Sequence, residues 1–185
     1  IREENEAKHR GGLLRRRSIH GFFREIEVEN QLILEASGEG IYGINAEGKA
    51  TFVNRAAQEM LGWSADDLIG QDLHQIIHHH HLNGDRFHAH ECPIYDSFRR
   101  DITVRVDDDA FWRKDGKPIL VEYISTPIYD HGVLAGAVVI FRDVTGRKET
   151  EKKLHRALAE VEKLMFQLEQ ENDYLLTELR HVRPH

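Results

Sequence analysis

The sequence has a single cysteine, Cys92, among its 185 residues. An internal disulfide is therefore excluded, and a reducing compartment, the cytoplasm, is the expected location. No apolar run is long enough to span a bilayer, and no signal-peptide pattern opens the chain. The net charge of −7 argues against direct binding of nucleic acid. Because the chain begins at Ile1 rather than Met, we expect it to be part of a longer protein.

Several motifs with known chemistry are also missing. The sequence has no Gly-rich phosphate loop, no kinase-type histidine box and no helix-turn-helix signal. Neither HExxH nor the deaminase pattern H-x-E with P-C-x-x-C occurs, so metal hydrolase chemistry has no support. We therefore expect a module that is not an enzyme, with its C-terminal effector domain outside this chain.

Apolar patterning divides the sequence into three segments: an N-terminal helical flank (1–31), a central domain (32–145) and a coiled-coil linker (146–185). From Ile19 to Ala36, apolar residues recur every third or fourth position, which predicts an amphipathic helix. Its apolar Phe22, Phe23 and Ile26 predict that this helix joins a dimer interface.

The central domain combines strands with short helices. "GIYGINAEGKATFVN" predicts a hairpin with its turn at 46–49, and "RAAQEMLGWSADDLIGQDLHQII" predicts two short helices, the first ended by Gly62 and the second capped by Ser64. A further short helix is expected after Pro93. Three strands follow at Ile102 to Trp112, Ile119 to Ile128 and Val133 to Arg142. Their short connections predict an α+β fold, an antiparallel sheet with the helices on one face.

A heptad pattern occupies the C-terminal segment, with apolar positions alternating at spacings of four and three. Such a seam predicts a coiled coil, and hence a homodimer, more than it predicts a lone helix packed on its own domain. Asn172 falls in the row where one buried asparagine favours two strands in register. The seam residues are Leu154, Leu158, Val161, Met165, Leu168, Asn172, Leu175, Leu179 and Val182.

The stretch from about Leu32 to Leu154 resembles a bacterial PAS domain. The resemblance lies in the opening "GIYGINAEGKATFVNRAAQEMLGWSADDLIG", in "WRKDGKPILVEYISTPI" and in the exit "GAVVIFRDVTGRKETEKKL". It implies a five-stranded antiparallel sheet with helices around a small central pocket, flanked by the N-terminal helix and the long C-terminal one. It also implies a sensory or dimerisation role.

The exit from the last strand has a physical interpretation of its own. In "RDVTGRK", Asp143 and Thr145 lie where the strand becomes a helix, so Thr145 is expected to cap that helix. We expect this joint to pass a distortion of the sheet into the coiled coil. "LEQENDYLLTELR" resembles the linker before the ATPase domain of sigma-54-dependent transcriptional activators. A histidine-kinase or cyclase output domain is an equally good expectation.

A histidine-rich stretch, "IIHHHHLNGDRFHAHECPIY", is the most unusual feature of the central domain. Its position in mid-chain argues against a purification tag. It resembles an HH-x-H…ECPI pattern of bacterial PAS domains, matched here by His78, His79, His81 and Cys92, and the resemblance implies no particular function. The "LNGD" turn can fold the chain back, so that His88, His90 and Cys92 share one face if the return arm is extended.

Imidazole and thiolate together suit zinc, iron and copper. We therefore predict that His78, His79, His81 and Cys92 bind a metal ion or an iron–sulfur cluster, with His88 and His90 as secondary candidates. Haem, or an organic ligand in the central pocket, is an alternative cofactor. Alternatively, Cys92 is a redox-sensing thiolate at a helix N-terminus or simply a buried residue, and the histidines form a polar or pH-responsive loop.

The sequence as a whole predicts a homodimeric signal-sensing module that detects redox state or a gas through its metal centre. The coiled coil would carry the signal to the effector. The alternative hypothesis is a PAS module without cofactor that serves dimerisation and transmission.

Overall fold

The computed structural model describes residues 38–182, so the predicted N-terminal flank, with its amphipathic helix at 19–36, lies outside the described residues. Two compact units meet between residues 143 and 144. In its described part, residues 38–143, the first unit has five strands and four short α-helices. The strands are β1 (Gly40–Asn45), β2 (Ala50–Val53), β3 (Val104–Trp112), β4 (Pro118–Asp130) and β5 (Val133–Asp143); the helices are α1 (Arg55–Leu61), α2 (Ala65–Leu68), α3 (Leu73–Ile77) and α4 (Pro93–Arg99).

The five strands form one antiparallel sheet in the order β2-β1-β5-β4-β3. This confirms the predicted α+β class and the five-stranded antiparallel sheet. Local turn chemistry accounts for the first hairpin, because the Asn45 side chain accepts hydrogen bonds from the backbone N–H groups of Glu47 and Lys49. Gly48 completes the turn with a φ of 79°, a conformation that favours glycine.

Two predicted helix signals, Gly62 and Ser64, are confirmed, and Asn54 is a cap that was not predicted from the sequence. Asn54 and Ser64 cap α1 and α2 with their side chains, and Gly62 ends α1 with a φ of 72°. The sequence predicted two helices before the histidine-rich stretch, whereas the structure has three. Gly70, at a φ of 81°, breaks the chain, and Asp72 then caps a new helix, α3.

Strand β3 contains an irregularity with a consequence for the core. Val106 pairs with Tyr123 but Asp109 pairs with Val121, so β3 carries one extra residue relative to β4, a β-bulge. Residues three positions apart would face opposite sides of a regular strand. The bulge lets both Val106 and Asp109 face the core side of the sheet.

The core lies between one face of the sheet and the short helices. Four aromatic rings form its centre, with ring centroids 5.2–6.3 Å apart; they are those of Tyr42, Phe111, Tyr123 and Phe141. Each of these side chains is at most 2% exposed. The four rings come from four of the five strands, β1, β3, β4 and β5.

The second unit is a single helix, α5 (Thr145–Val182), of 38 residues. Its apolar seam is exposed along the whole length, from Leu154 at 60% to Val182 at 75%. Among the described residues, no helix combines the length and the apolar character that a membrane crossing requires.

Candidate functional site

Three side chains that can bind metal ions are buried together in the core of the first unit. His74, His78 and Cys92 are 4%, 1% and 1% exposed, respectively. One nitrogen or sulfur atom from each lies within 4.8 Å of the others. A group of this kind is unusual in a hydrophobic core, because burying polar atoms is costly unless they are paired.

His74 lies in the first turn of α3, held there by the helix cap. The side chain of Asp72 accepts a hydrogen bond from the His74 backbone N–H, at 3.0 Å, and a second from the Tyr95 hydroxyl, at 2.8 Å. The ring nitrogen Nε2 of His74 lies 2.8 Å from the carbonyl oxygen of Phe87. Because a carbonyl only accepts, Nε2 carries the proton. The other nitrogen, Nδ1, is buried and has no hydrogen-bond partner in the part of the chain that the structure describes.

His78 lies one helical turn later and ends α3. The spacing of four residues places its ring beside that of His74, with centroids 5.4 Å apart. Its Nε2 donates to the carboxylate Oδ2 of Asp109 at 2.8 Å, and its Nδ1 lies 3.3 Å from the Cys92 sulfur. His78 therefore connects the thiol to the bulge of β3.

Cys92 is the N-cap residue of α4, directly before Pro93. Its side chain makes no capping hydrogen bond, so the thiol faces the histidines instead. Burial disfavours the ionised thiol, but the adjacent imidazoles of His74 and His78 outweigh it and lower the pKa of Cys92 to about 6.

The pKa values of His78 and Asp109 are shifted in opposite directions, each toward its charged form. Burial opposes the charge on His78, yet the Asp109 carboxylate and Cys92 raise the pKa of its imidazole to about 9. Burial likewise raises the pKa of Asp109, but the hydrogen bond and charge of His78 prevail and lower it. Asp109 also accepts a hydrogen bond from the Tyr123 hydroxyl at 3.0 Å. The thiol, the imidazole and the carboxylate therefore lie in a row, their pKa values are each shifted toward the charged form, and the Tyr123 hydroxyl links the row to β4.

The space beside this cluster is small. The cavity bounded by His74, His78, Cys92, Tyr42 and Tyr95 measures about 10 Å³. That is roughly the space of one water molecule, whereas pockets for organic ligands are about 300–1,000 Å³. Its dimensions suit a single ion more than a haem, a flavin or another organic ligand.

The structure brings together two of the four residues proposed as principal ligands, His78 and Cys92, and adds His74. The other two lie outside the cluster. The His79 ring stacks on Trp112, with centroids 5.5 Å apart, and the His81 ring stacks on Phe87, with centroids 3.9 Å apart.

The secondary candidates also lie apart from the cluster. The chain does fold back at the "LNGD" turn, where the His81 N–H donates to the Asp85 carbonyl. The return arm is not extended, however, because Ala89–Glu91 forms a 3₁₀ turn. His88 and His90 are exposed and stack on each other, with ring centroids 5.4 Å apart.

At the exit of the sheet, Asp143 is the last residue of β5, where it pairs with Val121 of β4. Thr145 is the first residue of α5. One residue, Val144, separates the sheet from the helix, so Thr145 lies within the first turn and not at the preceding position where the predicted cap would lie. The role of these two residues in signal transfer stays a prediction.

Comparisons with known proteins agree with this architecture. The family model described as the PAS fold matches residues 5–144. The signal transduction histidine-protein kinase AtoS of Escherichia coli K12 is 29% identical over 160 residues, which are 85% of this chain and 25% of AtoS. Two-component system protein A of Emericella nidulans is 27% identical over 125 residues, which are 67% of this chain and 17% of that protein. The chain thus spans a quarter or less of these two relatives.

A solved structure supports the fold alone. The PAS domain of a Colwellia psychrerythraea protein is 21% identical and superposes with a TM-score of 0.53, covering 65% of this chain and 98% of that domain.

Proposed function

This chain belongs to the PAS family, and we propose that it is the signal-sensing module of a cytoplasmic signal-transduction protein or transcription regulator. Its sensing centre is the buried cluster around His78 and Cys92, which responds to a bound metal or to redox state. The module performs no catalytic step of its own. It passes the response to an effector domain through a homodimeric coiled coil.

The observation that carries this proposal is the charged row from Cys92 through His78 to Asp109. Burying charged groups in a core lowers the stability of the fold unless they are paired. Strongly perturbed pKa values are found mainly at functional sites. If these positions served only to pack the core, hydrophobic residues would fill them equally well. A response of these groups to an oxidant or a metal would explain why charged groups are kept in the core.

A route from the centre to the output helix follows from the contacts. Asp109 accepts hydrogen bonds from both His78 and Tyr123, so movement of the His78 ring acts directly on β4. Tyr123 pairs with Phe141 of β5, two residues before the strand ends at Asp143. We propose that a change in the centre shifts β4 and β5 together and that Asp143 and Thr145 deliver this shift to α5.

The relatives support a sensory setting. AtoS is a histidine-protein kinase and the Emericella nidulans protein belongs to a two-component system, so a kinase output is one candidate for the effector. A sigma-54-dependent activator is the other, on the resemblance of the C-terminal linker.

We expect the sheet to respond to the chemistry of the centre. In the wild-type chain, zinc or copper salts, or a change from dithiothreitol to hydrogen peroxide, should change amide hydrogen exchange in 118–150. A change of about 5-fold or more corresponds to the low end of typical coupling between sites. Cys92→Ser should abolish the response because it removes the sulfur, whereas His90→Gln, an exposed histidine outside the cluster, should retain it. Hydrogen exchange with mass spectrometry measures this directly.

Two outcomes would contradict the sensory proposal. Exchange in 118–150 that is unchanged by every metal and redox treatment would leave the module without a sensing centre. A Cys92→Ser variant that responds like the wild type would place sensing elsewhere. Either result would favour the cofactor-free dimerisation module.

The coiled coil can be tested through its asparagine. Asn172 lies in the seam of α5 between Leu168 and Leu175, and replacing it with isoleucine should stabilise the helix pair while loosening its preference for two strands. We expect a higher melting temperature and a mixture of oligomers in sedimentation equilibrium.

The matched control is Gln170→Ile, which adds the same side chain two residues away and outside the seam. It should leave the wild-type dimer unchanged. A wild-type chain that sediments as a monomer, or equal effects of the two substitutions, would refute the dimeric seam.

A further inference from the structure

We propose that His74, His78 and Cys92 are the three protein ligands of a single thiophilic transition-metal ion, zinc or copper. This inference rests on the proposed function and specifies the chemistry of its sensing centre. It replaces the two outer histidines of the predicted set with His74, a helix residue that precedes the histidine run.

The first support is how the two rings use their other nitrogens. A histidine that ligates a metal through one nitrogen commonly donates its remaining N–H to a carboxylate or a backbone carbonyl. His78 does so to Asp109, and His74 does so to the carbonyl of Phe87. Both rings are thus oriented, with Nδ1 of His74 unpartnered among the described residues and Nδ1 of His78 facing the Cys92 sulfur.

The second support is the unpaired nitrogen of His74. Its Nδ1 has no hydrogen-bond partner in the described residues, although the side chain is only 4% exposed. An unsatisfied polar atom in a core is destabilising. Because Nε2 holds the proton, Nδ1 presents a lone pair, the form in which imidazole binds a metal. A metal ion beside Cys92 accounts for this atom.

The third support is size. Zinc bonds of about 2.0 Å to nitrogen and 2.3 Å to sulfur, at tetrahedral angles, separate the two ligand atoms by about 3.5 Å. His78 Nδ1 and Cys92 Sγ lie 3.3 Å apart, and all three ligand atoms lie within 4.8 Å. A cavity of about 10 Å³ has room for one ion and not for an iron–sulfur cluster.

Charge also matches a divalent ion. A metal-bound cysteine is a thiolate, and the Asp109 carboxylate lies behind His78, 2.8 Å from its Nε2. Together they offset a charge of +2 in a low-dielectric core. Two imidazoles and one thiolate are soft enough for zinc and copper.

Cobalt(II) is the probe of choice, because it substitutes for zinc and its thiolate charge-transfer band reports a metal–sulfur bond. The full chain, purified without a histidine tag, should bind one cobalt with this band and release it to zinc. Cys92→Ser should lose the band. His74→Gln should weaken binding by more than the roughly 10- to 100-fold that a change outside the ligand shell causes. His79→Gln and His81→Gln should bind like the wild type.

The decisive comparison is His74→Gln against His79→Gln and His81→Gln. Weak binding in the two outer variants with normal binding in His74→Gln would overturn the ligand set. A wild-type chain with no thiolate–cobalt band would overturn the metal site, and this measurement does not depend on whether any variant folds. Circular dichroism of each metal-free variant identifies losses that come from misfolding.

Failure of this inference can be separated from failure of the proposed function. If no metal binds but hydrogen exchange still responds to peroxide, the metal site is wrong and the redox-sensing module stands. If cobalt binds through sulfur but exchange in 118–150 never changes, the metal site stands and the sensory function is wrong.

Discussion

Replacing Asp109 with alanine should lower the free energy of unfolding of the sheet unit by about 3–5 kcal/mol, the usual cost of removing one partner of a buried ion pair. Its carboxylate accepts from His78 Nε2 at 2.8 Å and from the Tyr123 hydroxyl at 3.0 Å. His78 is 1% exposed and Tyr123 is 2% exposed, so neither donor can turn to water. The substitution therefore leaves two buried donors unpaired at once.

Asp108→Ala is the matched control, because this neighbour is exposed on the bulge. Its effect should stay within about 0.5 kcal/mol. Asp109→Asn should lie between the two, since the amide keeps an acceptor oxygen and loses the charge. Urea unfolding of the metal-free proteins gives all three values. If Asp109→Ala and Asp108→Ala unfold at the same urea concentration, Asp109 does not anchor the site.

Gly136→Ala should destabilise the same unit by about 3 kcal/mol or more, from backbone strain and overlap together. Gly136 has a φ of 148°, and a Cβ at this position would overlap the carbonyl oxygen of Ile44 on the neighbouring strand. That oxygen belongs to backbone in the centre of the sheet, between β1 and β5, and it has little room to move.

Gly84→Ala measures the cost of backbone strain without that of steric overlap. Gly84 has a φ of 93°, and a Cβ there would meet nothing within 4 Å. Only strain applies, so the cost should be about 1–3 kcal/mol and clearly smaller than that of Gly136→Ala. Thermal unfolding followed by circular dichroism makes the comparison. Equal costs would mean that β1 and β5 approach less closely than described here.

Most of the sheet follows from local sequence signals. Turns with glycine at 48, 116 and 132 separate alternating apolar runs, and each run became a strand within two residues of its predicted ends. Caps such as Ser64 act over three residues, so they can be recognised without knowing the fold. The break at Gly70–Asp72 was missed because the apolar pattern continues across it.

Only part of the site was predicted from the sequence, again because the local pattern does not reveal where a helix begins and ends. His78 and Cys92 belong to the conspicuous stretch, but the resemblance to the HH-x-H…ECPI pattern selected His79 and His81 beside them and left out His74. Instead α3 continues to Ile77, and helical spacing pairs His78 with the residue four positions earlier. The signal was present as H-x-x-x-H in "HQIIH", from His74 to His78.

Asp109 carried no signal that the sequence could reveal. It is the last of three consecutive aspartates, 107–109, which have the appearance of a solvated face. Its role depends on the bulge, which turns it toward the core, and on contact with His78, 31 positions away in the sequence. Long-range contacts of this kind arise from the tertiary fold and not from local pattern.

The bulge in β3 has one more consequence, for how copies of this domain meet. Within residues 38–182, β3 is an edge strand of the sheet. The unpaired N–H and C=O groups of an edge strand favour pairing with the edge of another sheet, which leads to aggregation. The extra residue interrupts that row of groups, and the exposed Asp107 and Asp108 would face like charges on a second copy. If the coiled coil holds two chains at high local concentration, this edge keeps their sheets from merging into one.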